Sequence, residues 1–115
     1  MSAVTQRKTG PVVTEFAARV YAATRRIPRG CVSTYKLVAA AIGCGSPRAV
    51  GQALRRNPFA PEVPCHRVIA SNLGLGGFSG HISGAALIRK RALLRQEGVV
   101  FRNGRLADER QLYRF

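Results

Sequence analysis

Residues 34–56 read TYKLVAAAIGCGSPRAVGQALRR, and this stretch decides the fold because it predicts two short helices on either side of a tight turn. Ser33 or Thr34 is suited to cap the first helix, since a hydroxyl there accepts a backbone N–H that the helix leaves unpaired. We predict this helix from about Tyr35 to Ile42. Its buried residues are predicted to be Leu37, Val38 and Ala41.

The second helix of the pair begins after the break Gly43-Cys44-Gly45. Ser46 is a favourable N-cap, and Pro47 suits the first helical position because an N–H there has no partner within the helix. This helix is predicted to end near Arg56. Two short helices joined by a glycine-containing turn are typical of a helix-turn-helix, although any small helical domain can contain such a pair.

The charge of the chain strengthens that interpretation. Nineteen Lys and Arg residues against five Asp and Glu give the 115-residue chain a formal net charge of +14, and sixteen of the nineteen are Arg. So large an excess repels itself unless the protein meets a polyanion, which indicates nucleic acid first and an anionic membrane surface second. Arg favours flat, bidentate contacts with phosphates and base edges. The alternative is an arginine-rich protein whose charge does no more than keep it in solution.

The region before the helix pair predicts an arm and a first helix. Residues 1–12 are expected to form a flexible basic arm, and residues 13–115 a single domain. Thr14 can cap a helix from about Glu15 to Arg26. The apolar stripe of this helix is Phe16, Val20, Ala23 and Ile27.

The region after the helix pair completes the fold class. A helix is predicted over Ala85–Gln96, and residues 99–106 predict a hairpin with an Asn-Gly turn. A hairpin that follows a helix-turn-helix suggests a winged helix. The expected fold is therefore mainly α, a winged-helix-like helix-turn-helix DNA-binding domain with a small β-hairpin.

The cysteines indicate free thiols in a reducing, intracellular compartment. Cys31, Cys44 and Cys65 are odd in number, widely spaced and without a C-x-x-C pair, and the histidines are only His66 and His81. We therefore expect no disulfide, no metal and no cofactor. No apolar run approaches the ~18–20 residues that a membrane span needs, and the N-terminus lacks the apolar region of a secretory signal, so no membrane partner is expected.

The helix that should end near Arg56 combines small and basic residues. Gly51 within a helix costs about 1 kcal/mol relative to Ala, which suggests that something approaches the backbone closely there. A neighbouring helix is one candidate and a DNA groove wall is the other. The small residues are Ala49, Gly51 and Ala53, and the flanking basic residues are Arg48, Arg55 and Arg56.

The run Pro64-Cys65-His66-Arg67 places a thiol next to an imidazole after a proline-rich loop. One interpretation is a buried cysteine beside a hydrogen-bonded histidine, because adjacent residues rarely face each other. The other is a reactive pair, in which the imidazole draws the thiol proton directly or through one water. That transfer would raise a thiolate fraction that is otherwise only a few per cent for an ordinary cysteine at pH 7. The positive charge of Arg67 favours the thiolate as well.

These residues resemble the active-site signature of the O6-alkylguanine-DNA alkyltransferase family. The resemblance implies direct reversal of DNA damage, in which the alkylated guanine is flipped out of the duplex and its alkyl group moves irreversibly to a cysteine. Each molecule would act once. The resemblance extends over roughly Phe16 to Val100, and its motifs are Ile27-Pro28-Arg29-Gly30, Val32-Ser33-Thr34-Tyr35, Arg48-Ala49-Val50-Gly51-Gln52-Ala53, Asn57-Pro58 and Pro64-Cys65-His66-Arg67-Val68.

The resemblance implies a role for each residue that matches the family's catalytic machinery. Cys65 is the nucleophile, and His66 is its base, acting through a water. Glu97 is the acid that orients the histidine. Tyr35 donates a hydrogen bond to the purine, and Asn57 braces the active-site loop.

The resemblance also implies contacts with DNA, because family members insert this helix into the minor groove. That groove is narrow, so a helix face of small residues suits it. The expected partner is double-stranded DNA containing O6-alkylguanine, bound by a monomer in the cytoplasm of a bacterium or archaeon or in a eukaryotic nucleus. The DNA-binding residues are Arg48, which fills the gap left by the flipped base, with Ala49, Gly51, Ala53 and Arg67, and the base pocket is formed by Tyr35, Val68, Phe78 and Ser79.

The chain departs from the family pattern in ways that keep a second function open. At 115 residues we expect no N-terminal domain of the usual kind, Phe78 stands where a tyrosine is usual, and the segment from His81 to Ala85 is longer. These features resemble the alkyltransferase-like proteins, which bind alkylated guanine without removing the alkyl group and pass the lesion to excision-repair proteins. Those proteins typically lack the cysteine, so Cys65 favours the enzyme. A third alternative is a general nucleic-acid binder with an inert cysteine.

Overall fold

A computed structural model describes residues 13–76 and 84–115. Within these residues the fold is mainly α, as predicted, with four helices, two small pairs of strands and two 3-10 turns. The predicted arm over residues 1–12 lies outside them. The helices are α1 (Glu15–Arg25), α2 (Tyr35–Ala41), α3 (Pro47–Arg55) and α4 (Ala85–Gln96), the strands are β1 (Ser33–Thr34), β2 (Val68–Ile69), β3 (Phe101–Arg102) and β4 (Arg105–Leu106), and the 3-10 turns are Cys65–Arg67 and Glu109–Gln111.

Hydroxyl groups cap the first three helices as predicted. The Thr14 side chain accepts the N–H of Ala17 at 3.0 Å, and the Ser46 side chain accepts the N–H of Ala49 at 3.1 Å. Of the two caps considered for α2, Thr34 is the one that forms, because its hydroxyl accepts the N–H of Leu37 at 3.1 Å. Each such cap stabilises its helix by about 1 kcal/mol.

The buried face of α2 differs from the prediction at two positions, and Leu37, one of them, is only partly buried. Val38 and Ala39 are buried, whereas Ala41 is exposed. Ala39 lies one residue after Val38 and three before the buried Ile42, and this spacing keeps all three on one side of the helix. Ala41 points away from that side, so the predicted stripe was wrong there.

The buried apolar side chains form two clusters with the β1–β2 pair between them. The larger cluster lies among α1, α2 and α3 and includes Val20, Val38 and Val50. The smaller one joins α4 to the hairpin. The β2 residue Val68 belongs to the larger cluster and Ile69 to the smaller, because successive side chains of a strand point to opposite faces. The members of the smaller cluster are Val32, Ile69, Leu73, Leu94, Val99 and Leu106.

The hairpin forms at the predicted Asn-Gly turn. Strands β3 and β4 pair antiparallel, with Phe101 opposite Leu106. Asn103 and Gly104 have φ values of 56° and 75°, the left-handed conformations that a two-residue hairpin turn needs.

The C-terminal segment is hydrogen-bonded to the residues around β1. Val32 donates its N–H to the Gln111 carbonyl at 2.9 Å and accepts the Tyr113 N–H at 2.7 Å. The Ser33 hydroxyl donates to the Tyr113 carbonyl at 2.8 Å. This segment therefore holds β1, and β1 leads directly into α2. None of the helices in the described ranges has the length and apolar character needed to cross a bilayer.

Candidate active site

The 3-10 turn Cys65–Arg67 carries the thiol immediately before β2. The Cys65 N–H donates to Val63 at 2.8 Å, and the Arg67 N–H donates to Pro64 at 2.9 Å, so the turn is fixed from within. Strand β2 follows at once and pairs in parallel with β1, with Ser33 opposite Val68. Cys65 is a free, partly buried thiol that packs against the larger cluster.

The Asn57 side chain forms hydrogen bonds at both ends of the loop that precedes the turn. The amide nitrogen of Asn57 donates to the Val63 carbonyl at 3.0 Å, and its amide oxygen accepts the Phe59 N–H at 2.9 Å. Both bonds close a loop that leads to Cys65 two residues after Val63. This is the geometry of a brace, as the resemblance implied, and its importance for catalysis stays a prediction.

His66 and Glu97 meet although they are far apart in the chain. The His66 Nε2 atom lies 2.9 Å from Glu97 Oε2, and His66 is only 6% exposed. Burial is the main cause that lowers the pKa of His66, and the positive charges of Arg67 and Lys90 lower it further. The hydrogen bond and negative charge of Glu97 raise this pKa but do not outweigh the other effects. The imidazole is therefore neutral near pH 7, which is the form that can accept a proton.

Arg67 was predicted to bind DNA, but the structure turns its side chain inward. The guanidinium Nε donates to Glu97 Oε1 at 2.9 Å and Nη2 donates to Oε2 at 3.0 Å. A third donor, Nη1, reaches the Ile27 carbonyl at 2.9 Å. Burial acts to raise the pKa of Glu97, but the hydrogen bonds from Arg67 and His66 outweigh it and hold that pKa below its ordinary value. With each of its three nitrogens donating within the protein and only 16% of its side chain exposed, Arg67 contacts protein.

No cysteine–histidine hydrogen bond joins Cys65 Sγ to His66 in the described part of the chain. The structure thus places the imidazole on the same short turn as the thiol while its Nε2 atom faces Glu97. Proton transfer between the two side chains would require a bridging molecule. The resemblance implied such a relay through water.

Lys90 is a buried cation that the sequence analysis did not single out. Its side chain is fully buried in α4, and Nζ donates to the Val68 carbonyl at 2.8 Å and lies 5.9 Å from the centre of the Tyr35 ring. Burial lowers the pKa of Lys90 to about 7. Its position four residues before the apolar Leu94 was the available signal, because that spacing places a lysine on the buried face of the helix.

Tyr35 forms a wall of an open cavity. A Cβ added at Gly51 would lie 3.8 Å from the Tyr35 ring, and one added at Gly76 would lie 3.5 Å from it. Burial raises the pKa of Tyr35 to about 12, so the phenol keeps its proton at physiological pH. The cavity has a volume of about 470 Å³ and is lined by Tyr35, Pro47, Arg48, Gly51, Gln52, Arg55, Ala70 and Ser71. Two residues predicted for the base pocket, Phe78 and Ser79, lie outside the described residues.

Val68, also predicted for that pocket, is fully buried in β2. Its side chain packs in the larger cluster, and its carbonyl accepts the hydrogen bond from Lys90. Only its backbone is therefore placed to contribute to a pocket.

The small residues of α3 do not share one face, which corrects the prediction. Positions two apart are about 200° apart around a helix. Gly51 accordingly lies toward Tyr35, where an added Cβ would meet the ring at 3.8 Å, an ordinary van der Waals distance, so packing against the neighbouring helix does not by itself require the glycine. Ala49 and Ala53 face α1, where Ala53 is only 9% exposed and its carbonyl accepts the Tyr21 hydroxyl at 2.7 Å. Ala53 is thus a core residue and not a surface that DNA could contact.

Arg48 and Arg55 are the exposed cations of α3. Both line the cavity beside Tyr35. Neither has a hydrogen bond or an ion pair with any residue of the described ranges, so both guanidinium groups are available to a ligand there. The same ranges contain no cluster of three or more His, Cys, Asp and Glu side chains that could hold a metal ion.

Comparisons with known proteins identify relatives over most of the chain. Residues 15–99 match the family described as 6-O-methylguanine DNA methyltransferase, DNA binding domain. A methylated-DNA–protein-cysteine methyltransferase of Saccharolobus islandicus is 52% identical over 84 residues, which are 73% of this chain and 51% of the relative. One from Methanothermobacter thermautotrophicus is 46% identical over 75% of this chain and 46% of its own length. The chain therefore spans about half the length of these curated relatives.

Solved structures match in the same region. The Mycobacterium tuberculosis OGT in complex with DNA superposes with a TM-score of 0.66 at 44% identity, covering 75% of this chain and 51% of that one. The S. pombe Atl1 bound to damaged DNA containing O6-carboxymethylguanine superposes with a TM-score of 0.74 at 31% identity, covering 90% of this chain and 98% of that one.

Proposed function

Because the chain belongs to the 6-O-methylguanine DNA methyltransferase family, which it matches in the DNA-binding domain, we propose that it repairs DNA by moving the alkyl group of O6-alkylguanine onto Cys65. The observation that carries this proposal is a free thiol on a fixed turn, beside a neutral imidazole that is hydrogen-bonded to a carboxylate. A thiol needs a nearby base to become a nucleophile at neutral pH.

The transfer is a displacement at a saturated carbon. The bond from the alkyl carbon to O6 breaks while a bond from that carbon to Cys65 Sγ forms, and the electron pair of the broken bond stays with guanine. The thiol proton passes through a bridging water to His66, whose positive form Glu97 stabilises. Tyr35, which retains its proton, donates a hydrogen bond to the departing purine. Because no residue removes the alkyl group from sulfur, each molecule acts once.

Access to the reacting carbon requires the base to leave the duplex. The reacting atoms are hidden inside stacked DNA, and unstacking one base costs a few kcal/mol. We place α3 in the minor groove, where the exposed Arg48 fills the gap left by the flipped base and Arg55 contacts phosphate. The matching structures from Mycobacterium tuberculosis and S. pombe, both in complex with DNA, support the binding of DNA. The protein would act as a monomer where the genome is, in the cytoplasm of a bacterium or archaeon or in a eukaryotic nucleus.

The test is to incubate the protein with a duplex containing O6-methylguanine and to measure its intact mass. We expect one added methyl group per molecule, located on the peptide that contains Cys65, and none in Cys65→Ser. The matched control is Cys44→Ser, because the Cys44 thiol is engaged only with the backbone of Ser46 at the start of α3, accepting its N–H and donating to its carbonyl. An unchanged mass for the unmodified sequence would contradict the proposal.

A second candidate is lesion binding without transfer, followed by excision repair by other proteins. The observation that favours it is the match to Atl1, which covers 98% of that chain, whereas the methyltransferases are matched over about half of theirs. Tight binding to O6-methylguanine DNA with no change in protein mass would identify this function. We favour the enzyme because Cys65 is present with His66 and Glu97 around it.

A further inference from the structure

We propose that Arg67 is a positioning residue for the transfer reaction, because it holds Glu97 where that carboxylate fixes the His66 ring next to the Cys65 thiol. The inference rests on the proposed function and adds to it a residue that was expected to bind DNA.

Arg67 fixes the carboxylate of Glu97 by donating to both of its oxygens. Its Nε and Nη2 atoms reach the two different oxygens of Glu97 at 2.9 and 3.0 Å, which is the two-pronged geometry that determines both position and plane. Its Nη1 atom donates to the Ile27 carbonyl at 2.9 Å. Arg67 therefore joins three separate parts of the chain: the segment after α1, the active-site turn and the end of α4.

The fixed carboxylate of Glu97 determines which His66 nitrogen carries the proton. Glu97 Oε2 lies 2.9 Å from Nε2, and an ionised carboxylate can only accept, so Nε2 is the protonated nitrogen. Nδ1 is then the nitrogen with a free lone pair. Only this tautomer leaves the imidazole able to take the thiol proton at Nδ1.

None of the other charges near His66 can replace Arg67. Lys90 is buried in α4, and its Nζ is held at the Val68 carbonyl. Arg29 approaches Glu97 Oε2 only to 3.9 Å, and 68% of its side chain is exposed to solvent. The remaining titratable neighbour is Cys65, which precedes His66 on the turn and carries no positive charge. Without Arg67, Glu97 would keep its bond to His66 but lose both bonds that set its orientation.

Arg67 adds positive charge beside His66 and so helps to keep the ring neutral, while it also neutralises Glu97. Removing it leaves an uncompensated carboxylate against the imidazole, which raises the pKa of His66. Arg67→Lys keeps a positive charge but not the two-pronged geometry.

The experiment compares Arg67→Met and Arg67→Lys with the unmodified protein. The first readout is the ¹⁵N NMR spectrum of the histidines against pH, with His81→Gln used to assign the His66 signals. The second is the rate of methyl transfer from an O6-methylguanine duplex, and the third is the affinity for undamaged duplex against salt concentration. Arg110→Met is the matched control, because it removes the same charge from an exposed site and breaks only the pair with Asp108.

We expect Arg67→Met to mix the two His66 tautomers, to raise the pH at which His66 titrates and to slow transfer about tenfold or more. Arg67→Lys should keep the pH at which His66 titrates close to that of the unmodified protein, because the positive charge remains. It should restore the single His66 tautomer less fully, because the two-pronged contact with Glu97 is lost. Neither variant should change the salt dependence of binding to undamaged DNA. Arg110→Met should match the unmodified protein in the NMR and transfer measurements.

Two results would overturn the inference. One is an unchanged His66 tautomer and titration in both Arg67 variants. The other is a salt dependence reduced by about one phosphate contact with unchanged NMR signals, which would make Arg67 a DNA contact. Should the unmodified protein transfer no methyl group, the proposed function fails, but the NMR measurement still decides the role of Arg67. If Arg67→Met does not fold, Arg67→Lys provides the same readouts.

Discussion

Lys90 is a buried lysine whose Nζ is held at the Val68 carbonyl, and its burial has a consequence for stability. Burial lowers the pKa of Lys90 from its ordinary value of 10.5 to about 7. Between these two pH values the unfolded chain holds a proton that the folded chain has released. The free energy of unfolding therefore rises with pH in that window and falls as the pH drops toward 7.

This gives a prediction for Lys90→Met. From pH 7 to 9 the unmodified protein should gain stability relative to the variant, at up to about 1 kcal/mol per pH unit. Tyr35 does not interfere there, because its phenol is protonated in both the folded and unfolded states. Urea unfolding of both proteins at several pH values measures the difference. Parallel pH dependences would show that Lys90 is charged in the folded protein.

Arg48 allows the flipping step to be separated from the chemistry. Arg48→Ala should lower methyl transfer from an O6-methylguanine duplex about tenfold, equal to about 1.4 kcal/mol. Transfer from the free base O6-methylguanine should be unaffected, because no gap needs filling. Arg25→Ala removes an exposed charge from α1 and is the control. Equal losses on both substrates would exclude the proposed role of Arg48.

Single residues were predictable from the sequence to different degrees. The local run around Cys65 and His66 was visible directly, but the meeting of His66 with Glu97 was implied only by the resemblance, since 31 residues separate them. The side-chain direction of Arg67 could not be predicted, because its acceptors Glu97 and Ile27 reach it through tertiary packing. The same packing hides Lys90 among the otherwise exposed charges of α4.

At the scale of elements, a glycine just after α4 closes the helix end that carries Glu97. The Gly98 N–H donates to Arg95 and the Val99 N–H donates to Leu94, at 3.0 and 2.9 Å, which closes the helix in a Schellman motif. Gly98 has φ +87°, a conformation that other residues rarely adopt. Val99 and Leu94 then pack in the smaller cluster.

Gly98→Ala should destabilise the fold by roughly 1–2 kcal/mol, because the added Cβ forces a strained backbone at the left-handed position. The side chain itself meets nothing within 4 Å, so sterics with neighbours play no part. Gly45→Ala is the matched control, since Gly45 also has nothing within 4 Å and no positive φ. It should change stability by less than about 0.5 kcal/mol in thermal or urea unfolding. Equal effects of the two substitutions would contradict this account.

Elements fixed by local interactions were the ones predicted well. The Ser46 cap with Pro47, the Asn-Gly hairpin and the range Ala85–Gln96 all depend on residues within a few positions of each other. The parallel pair of β1 and β2 was not predicted as a pair, because each strand has only two residues and their pairing spans a long loop. The exposed Ala41 shows that a seven-residue helix gives too short a pattern to fix its buried face.

At the scale of the molecule, the net charge of +14 is spread over several surfaces, so salt dependence can show which surface meets DNA. Arg55→Gln on α3 should reduce the slope of log affinity against log salt by about one for undamaged duplex. Arg95→Gln, at the exposed end of α4, should leave the slope unchanged. Binding titrations at four or five salt concentrations measure both. A larger effect at Arg95 would place the duplex against α4.

The hydrogen bond from Ser33 to Tyr113 joins residues 80 positions apart. A ribosome makes the chain from its beginning, so α1, α2 and α3 exist well before residues 111–113 have been added. Until then Val32 has no partner for its N–H or its carbonyl in that segment, and β1 cannot be completed. Contacts so distant in sequence form late because a long loop must close first. A newly synthesised molecule should therefore be able to form its helix-turn-helix before the Cys65 thiol is in place.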